Sequence, residues 1–175
     1  MNETLKTLET RRSCHKFKPD MIKQEELDAI LRAGTYAPSG GGKQSAIIVV
    51  VKDKELRDEL SALNGKIAGA PEEFDVFYGA PVVAIVLGKK DMPDHVYDGS
   101  LVMGNMLNAA ASLGVGSIWV HRAKQEFEQP LGQEILKKLG ITDEYEGIGH
   151  CCLGYEAEPP KEAAPRKENY VYYLE

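Results

Sequence analysis

The residues best suited to chemistry form a basic segment near the N-terminus, RRSCHKFK at residues 11–18. It carries four fixed cations, a histidine and a serine hydroxyl within eight residues, and it contains no acid. Guanidinium groups and a hydroxyl in such a cluster suit a small anion such as a phosphate, whose oxygens match the guanidinium fork. Cations are also typical of a solvated helix C-terminus, where they complement the helix dipole. The residues alone leave both interpretations open.

A second cationic pair, Arg166-Lys167, lies near the C-terminus in the segment EAEPPKEAAPRKENYVYYLE. By itself it is typical of a charged patch in a loose terminus. A phosphate group carries close to two negative charges, so a second pair of cations would suit the same anion as the basic segment. The prolines of this segment forbid a helix and favour an extended backbone.

Other reactive residue types form no recognisable catalytic set. We find no Ser-His-Asp arrangement and no carboxylate pair of the glycosidase kind, so no side chain is predicted to be catalytic. Cys14, Cys151 and Cys152 make neither an even disulfide framework nor a CxxC pair. They predict free thiols in a reducing, cytoplasmic compartment and no metal site.

Composition predicts one folded domain over residues 1–175, with 43% hydrophobic and 27% charged residues. The 27 acids outnumber the 21 Lys and Arg residues, which argues against nucleic acid as a partner because phosphate-backbone binding needs a basic face. The longest apolar runs, AIIVVV and APVVAIVLG, are far shorter than a membrane span, so no membrane association is expected.

Periodicity predicts the elements that must position these residues. Leu5 and Leu8 indicate a short helix capped by Asn2 and leading into the basic segment. A second helix is predicted from about Gln24, and it must end before Pro38. The remaining predictions are strands at 46–51, 81–87, 115–121 and 147–155, an Asp53-capped helix between the first two, a buried helix at 97–113, a helix ending at Gly140, and an edge strand at 169–174. Taken locally, this alternation suggests βαβ units.

Four motifs follow one another along most of the chain. They are Arg11-Arg12-Ser13, Ala37-Pro38-Ser39 with Gln44, the run DGS…N…AA…SLGVGS…W from Asp98 to Trp119, and LGY followed by PRK. In this order and spacing they resemble the nitroreductase family of FMN-dependent oxidoreductases, and the length resembles its short members.

The resemblance implies a fold that differs from the βαβ interpretation. It implies an α+β fold, a nitroreductase-like α/β/α sandwich with a mixed, largely antiparallel central sheet, in a domain-swapped homodimer. The helix at 97–113 would form the dimer core. The C-terminal arm, about residues 156–175, would extend onto the partner subunit.

The resemblance also implies which residues bind FMN. The FMN phosphate and ribityl chain map onto Arg11, Arg12, Ser13 and His15, with Arg166 returning to the phosphate and Lys167 in support. His15 is a departure, since the family usually has Arg or Lys there, and a histidine is only partly charged near neutral pH.

Two further stretches would contact the flavin ring. The glycine-rich loop would pack against it from the other subunit, through Pro38, Ser39, Gly40, Gly42 and Gln44. Two departures occur in that loop: Gly42 stands where the family usually has Asn, and Ser45-Ala46 stand where it has Pro and an aromatic residue. The strand end Trp119, Val120 and His121 would offer backbone amides near flavin N5. The direction of the His121 and Arg122 side chains is left open, and His150 is predicted to be a buried core residue.

The implied function is FMN-dependent transfer of hydride from NADH or NADPH, through flavin N5, to a small-molecule acceptor such as a nitroaromatic or quinone. The order would be ping-pong, and the cofactor would carry the chemistry. The alternatives are an FMN-binding electron carrier or a specialised flavoprotein without nitroreductase activity, and, as a third interpretation, an interaction domain without flavin.

Overall fold

The computed structural model describes residues 1–175, which form six helices and four strands. The helices are α1 (Glu3–Thr10), α2 (Gln24–Thr35), α3 (Lys54–Ala68), α4 (His95–Ser112), α5 (Ala123–Phe127) and α6 (Pro130–Lys138). The strands are β1 (Ala46–Val51), β2 (Val82–Lys89), β3 (Gly116–Val120) and β4 (Tyr145–Gly154). A single 3-10 turn spans Gly40–Gly42. The predicted helices and the four strands between residues 46 and 155 are confirmed to within a few residues, and α5 is an addition.

Two predicted helix caps are confirmed. Asn2 Oδ1 accepts a hydrogen bond of 2.9 Å from the Leu5 N–H at the start of α1. Asp53 Oδ1 accepts one of 2.9 Å from the Leu56 N–H at the start of α3. Each cap satisfies a backbone donor that the first turn of a helix leaves unpaired.

The sheet has the strand order β1-β2-β4-β3, and each neighbouring pair is antiparallel. The βαβ interpretation is therefore wrong for neighbouring strands, since no two hydrogen-bonded strands are parallel. The strands β2 and β3, which α4 connects, run in the same direction, but β4 lies between them. A parallel element is present as a single bridge between Ser13 and Ser117, beside β3. The mixed, largely antiparallel sheet implied by the resemblance is confirmed.

Helices cover both faces of the sheet and enclose two apolar cores. The first core lies under α3, α5 and α6 and includes Leu60, Phe127 and Leu136. The second lies under α2 and α4 and includes Leu27, Ile30, Met103 and Met106. Alternation along β4 sends Cys152 into the first core and Cys151 into the second. The arrangement is an α/β/α sandwich.

The two edges of the sheet differ. Along β3, the basic segment covers the edge, and the Cys14 N–H donates to the Ser117 carbonyl at 3.0 Å. Along β1, no strand of this chain pairs with the outer edge. An unpaired edge is a template for an added strand.

Residues 157–175 of the C-terminal arm are exposed throughout. The predicted edge strand at 169–174 is not formed within one chain, although its aromatic side chains are strongly exposed, with Tyr172 at 81%. None of the helices combines the length and the apolar character needed to cross a membrane.

Candidate functional site

The two ends of the chain meet at a cavity of about 290 Å³, here called the basic cavity. It is lined by Arg11, Arg12, Ser13, His15, Lys161, Glu162, Ala163, Ala164 and Arg166. Five of the six residues that the resemblance assigns to the FMN phosphate therefore lie together. The sixth, Lys167, does not line the cavity, and its Nζ lies 5.1 Å from the centroid of the Tyr170 ring.

Backbone hydrogen bonds fix the N-terminal wall of the basic cavity. Besides the Cys14 bond to β3, the Phe17 N–H donates to the Tyr78 carbonyl at 3.1 Å, and the Lys18 N–H donates to the Tyr155 carbonyl at 2.8 Å. The Cys14 and Phe17 side chains are buried. Between these two buried anchors the chain bends, and His15 and Lys16 are exposed.

The cations of the basic cavity lack acidic partners. Arg11, Arg12, His15 and Arg166 take part in none of the salt bridges of the chain, although Glu162 lines the same cavity. Arg12 uses one Nη on the Glu9 and Arg11 carbonyls, at 2.8 and 2.7 Å. Unpaired cations gathered at one cavity suit an anionic ligand.

Lys16 has a different place from these cations. Its Nζ pairs with the Glu158 carboxylate, and its side chain does not line the basic cavity. The basic segment therefore divides into cavity residues and an ion-paired surface lysine.

A second cavity of about 420 Å³, the loop cavity, lies between α2, β1 and α4. Pro38, Ser39 and Gln44 line it, whereas Gly40 and Gly42 do not. Gly42 has a φ of +68°, a left-handed conformation that Asn also tolerates, so the backbone there suits the usual residue of the family.

Asp98 of α4 anchors the glycine-rich loop. Its Oδ1 accepts a hydrogen bond of 2.8 Å from the Gly40 N–H, and its Oδ2 accepts one of 2.6 Å from Ser45 Oγ. Asp98 is buried, so its carboxylate fixes the loop to α4 from the interior of the protein.

The strand end at Trp119, Val120 and His121 lies at the start of the turn to α5. The Trp119 indole packs so closely on Gly149 that no Cβ would fit there. Val120 is buried and His121 is exposed. His150 is fully buried, as predicted.

Sequence reasoning missed several residues of these cavities. Lys161 and Glu162 line the basic cavity but stand outside the four motifs. Asp98 opens the third motif, yet no role in holding the loop was predicted for it. The PPKEAAPRK string does place Lys161 five residues before Arg166. An extended arm can bring both to one cavity, and this spacing was the available signal.

The three thiols are free and buried. Burial raises the pKa of Cys151 to about 12 and also raises that of Cys14. Such thiols are poor nucleophiles. No group of three or more His, Cys, Asp or Glu side chains is arranged to hold a metal ion.

Comparison with known proteins identifies relatives of the whole chain. A model of the nitroreductase family matches residues 8–155. A nitroreductase with bound FMN from Bacteroides fragilis superposes with a TM-score of 0.91 at 27% identity, covering 100% of both chains. A nitroreductase with bound FMN from Desulfitobacterium hafniense gives a TM-score of 0.87 at 30% identity, again over 100% of both chains. An FMN reductase (NAD(P)H) from Bacillus subtilis is 25% identical and covers 98% of this chain and 76% of its own.

The family match spans the basic segment, the glycine-rich loop and all four strands. The structural neighbours share the same α/β/α sandwich over the full chain. This chain belongs to the nitroreductase family.

Proposed function

We propose that this protein is an FMN-dependent oxidoreductase that takes electrons from NADH or NADPH and delivers them to a small-molecule acceptor. The observation that carries the proposal is the basic cavity, where four cationic side chains without acidic partners converge from both ends of the chain. The FMN-bound structures of its relatives and the name of the Bacillus subtilis reductase support it.

The residues of the basic cavity fit the phosphate end of FMN. Arg11 and Arg166 supply guanidinium forks, Ser13 a neutral donor, and His15 a ring nitrogen. Lys161 is a fourth fixed cation beside Arg11, Arg12 and Arg166, and it takes the place predicted for Lys167. Bound FMN would accept hydride at N5 and pass the electrons to a nitroaromatic, a quinone or a similar acceptor, in ping-pong order.

We propose that the two cavities serve one FMN when two chains come together. The basic cavity and the loop cavity have no lining residue in common. In the proposed homodimer, the basic cavity of one subunit holds the phosphate, and the loop with Pro38, Ser39 and Gln44 packs on the ring from the partner. The exposed Val96, Tyr97 and Leu101 of α4 support this assembly, since an apolar stripe on a helix favours burial.

The C-terminal arm fits the same assembly. The arm has an extended backbone and exposed aromatic side chains, and the outer edge of β1 has no partner strand. An extended segment can add a strand to such an edge. We propose that the arm crosses to the partner's sheet while Arg166 stays at the basic cavity. A cytoplasmic location stays a prediction.

The first test is the colour of the purified protein. Protein purified without added cofactor should be yellow, and heat should release FMN and not FAD. A colourless protein that also fails to take up added FMN would sink the proposal.

The second test separates an enzyme from an electron carrier. Steady consumption of NADH or NADPH is expected after a nitroaromatic or quinone is added. An FMN-loaded protein that consumes neither nucleotide would favour the carrier.

The third test addresses the cations directly. Arg11→Ala and Arg166→Ala should each weaken FMN binding about 10- to 100-fold, because each loses a charge-assisted hydrogen bond. Lys18→Ala is the matched control, since Lys18 lies in the same segment outside the basic cavity. Fluorescence titration with FMN measures all three, and equal losses would mean that only the general charge of the segment matters.

A further inference from the structure

His15 differs in chemistry from the other cations of the basic cavity. Those cations are three arginines and a lysine, which keep their charge at every pH near neutrality, and the single acid of the cavity is Glu162. Histidine is the side chain type that gains or loses its charge between pH 5 and 8. Any change in the charge of the basic cavity near neutral pH must therefore come from His15.

The backbone on both sides of His15 is fixed. The Cys14 N–H donates to the Ser117 carbonyl at 3.0 Å, and the Phe17 N–H donates to the Tyr78 carbonyl at 3.1 Å. His15 itself is exposed and lines the basic cavity. A ligand in the cavity therefore meets the imidazole on a backbone that folding has already ordered.

The Tyr78 ring confines the imidazole on one side. The two ring centroids lie 5.1 Å apart, and the ring planes are nearly perpendicular, at 81°. Tyr78 has a φ of +57°, a left-handed conformation that persists where the surroundings determine it. Here the Asp75 carboxylate accepts from the Phe77 N–H at 3.0 Å and from the Gly79 N–H at 2.7 Å. The position of the imidazole is therefore limited by a ring on a braced turn.

The unpaired charges around the imidazole are mostly positive. Within the basic segment, Lys16 is already paired with Glu158. Burial, aided by Glu156, raises the pKa of the Cys14 thiol, which therefore stays neutral. The phenol of a tyrosine is also neutral in this pH range. The charges that remain belong to Arg11, Arg12, Lys161, Glu162 and Arg166.

A bound phosphate would reverse this balance. The phosphate of FMN carries close to two negative charges above its second ionisation, which lies near pH 6. A nearby opposite charge favours the charged form of an imidazole, whereas like charges disfavour it. Binding of the dianion therefore favours a proton on His15. An Arg or Lys at this position would carry its charge with or without the ligand.

We propose that FMN binding is coupled to uptake of a proton by His15, and that this proton sets how strongly the protein prefers FMN to riboflavin, which has no phosphate. The inference rests on the proposed FMN site. Because the phosphate holds the proton on His15, the complex keeps it to a higher pH than the free protein does. The added affinity is fully present while the free imidazole is protonated, and it is lost as the pH rises through the range in which the complex releases the proton.

The decisive comparison is between the wild type, His15→Gln and His15→Lys, by fluorescence titration with FMN from pH 6.5 to 8.5. Wild-type affinity should fall about fivefold over this range, as expected when the phosphate moves the titration of one imidazole by about one pH unit. Each variant should change by less than about twofold, since the amide is never charged and the ammonium always is.

His95→Gln is the matched control. His95 lines neither the basic cavity nor the loop cavity, so this variant should keep the pH dependence of the wild type. A His15→Gln protein with the pH dependence of the wild type would overturn the inference.

Calorimetry counts the proton directly. At pH 7.5, in buffers of different ionisation heat, FMN binding should take up roughly half a proton in the wild type and close to none in His15→Gln. Riboflavin binding to the wild type should show no uptake. Equal uptake with FMN and riboflavin would overturn the link to the phosphate.

These outcomes separate the two proposals. Wild-type protein that binds no FMN at any pH in this range overturns the proposed function and the inference with it. FMN binding whose pH dependence is unchanged in His15→Gln overturns the inference alone. The substitutions at position 15 change an exposed side chain, so both variants should fold, and their far-UV circular dichroism spectra should match that of the wild type.

Discussion

The basic segment and the C-terminal arm both bring cations to the basic cavity, but they are held in opposite ways. The basic segment is held by backbone bonds to Ser117, Tyr78 and Tyr155 and by the buried Cys14 and Phe17. Beyond residue 156 the arm buries no side chain in its own chain. Ordering either segment costs conformational entropy. For the basic segment, contacts made on folding offset this cost, whereas for the arm the offsetting contacts must come from outside the chain.

The anion site is therefore preorganised at the basic segment and not at the arm. A ligand that meets the basic segment finds Arg11 in place, whereas a ligand that needs Arg166 must also order the arm. A partner subunit that holds the arm removes that cost in advance. The following changes test this contrast and are ordered by the size of the loss that we expect.

Removing the arm after Glu156 should have the largest effect. We expect FMN affinity to fall roughly 100- to 1000-fold, because Arg166 and the contacts of the arm are lost together. The far-UV circular dichroism spectrum should stay near that of the full chain, since residues 157–175 contain no helix or strand. FMN titration and analytical ultracentrifugation measure affinity and assembly. Full FMN affinity in the shortened protein would show that the arm is dispensable.

Phe17→Ala should give the opposite pattern. Its side chain is 7% exposed and belongs to the first core, so the free energy of unfolding should fall by about 3 kcal/mol. Denaturant unfolding measures this loss. Phe74→Ala is the matched control, since Phe74 is 47% exposed and should cost much less. A Phe17→Ala protein as stable as the wild type would mean that the basic segment is not anchored by this side chain.

Asp75 supports the basic segment indirectly and should make its anchoring sensitive to acid. Its carboxylate accepts from the Phe77 N–H at 3.0 Å and the Gly79 N–H at 2.7 Å, and so holds the turn whose Tyr78 carbonyl binds Phe17. Burial raises the pKa of Asp75, but hydrogen bonds from Arg57 and Ser61 outweigh burial, and the pKa stands below its ordinary value.

The sign of the pH effect follows from that lowered pKa. The stabilisation is fully present above the unfolded pKa of about 3.9 and is lost as the pH falls through the lower folded value. Because the side chain is 35% exposed, we expect a modest contribution of about 1–2 kcal/mol at pH 7. Denaturant unfolding between pH 7 and 3 should show a smaller pH dependence in Asp75→Asn than in the wild type. Parallel curves would contradict this role.

The sequence predicted the elements of the fold well where the signal is local. The cap residues Asn2 and Asp53 and the apolar face of α2 depend on neighbours within a few positions. Strand direction does not, because it depends on how distant segments pair. Local alternation therefore suggested βαβ units, and the family resemblance was needed for the antiparallel sheet.

The candidate site shows the same division. Arg11, Arg12 and Ser13 could be selected because their charges stand together in a motif. Asp98 holds Gly40 and Ser45 across separations of 58 and 53 positions in the chain, a relation that appears only when α4 packs beside the loop. Lys161 was missed and Lys167 was preferred over it, because the path of the extended arm decides which lysine reaches the basic cavity.

The adjacent thiols of β4 give this molecule a built-in probe of its two layers. Because Cys151 and Cys152 face opposite cores, each becomes open to an alkylating reagent only when its own side of the sandwich separates from the sheet. Mass spectrometry of partly labelled protein would then record which layer opens first. One pair of neighbouring residues can thus report the order in which the sandwich comes apart.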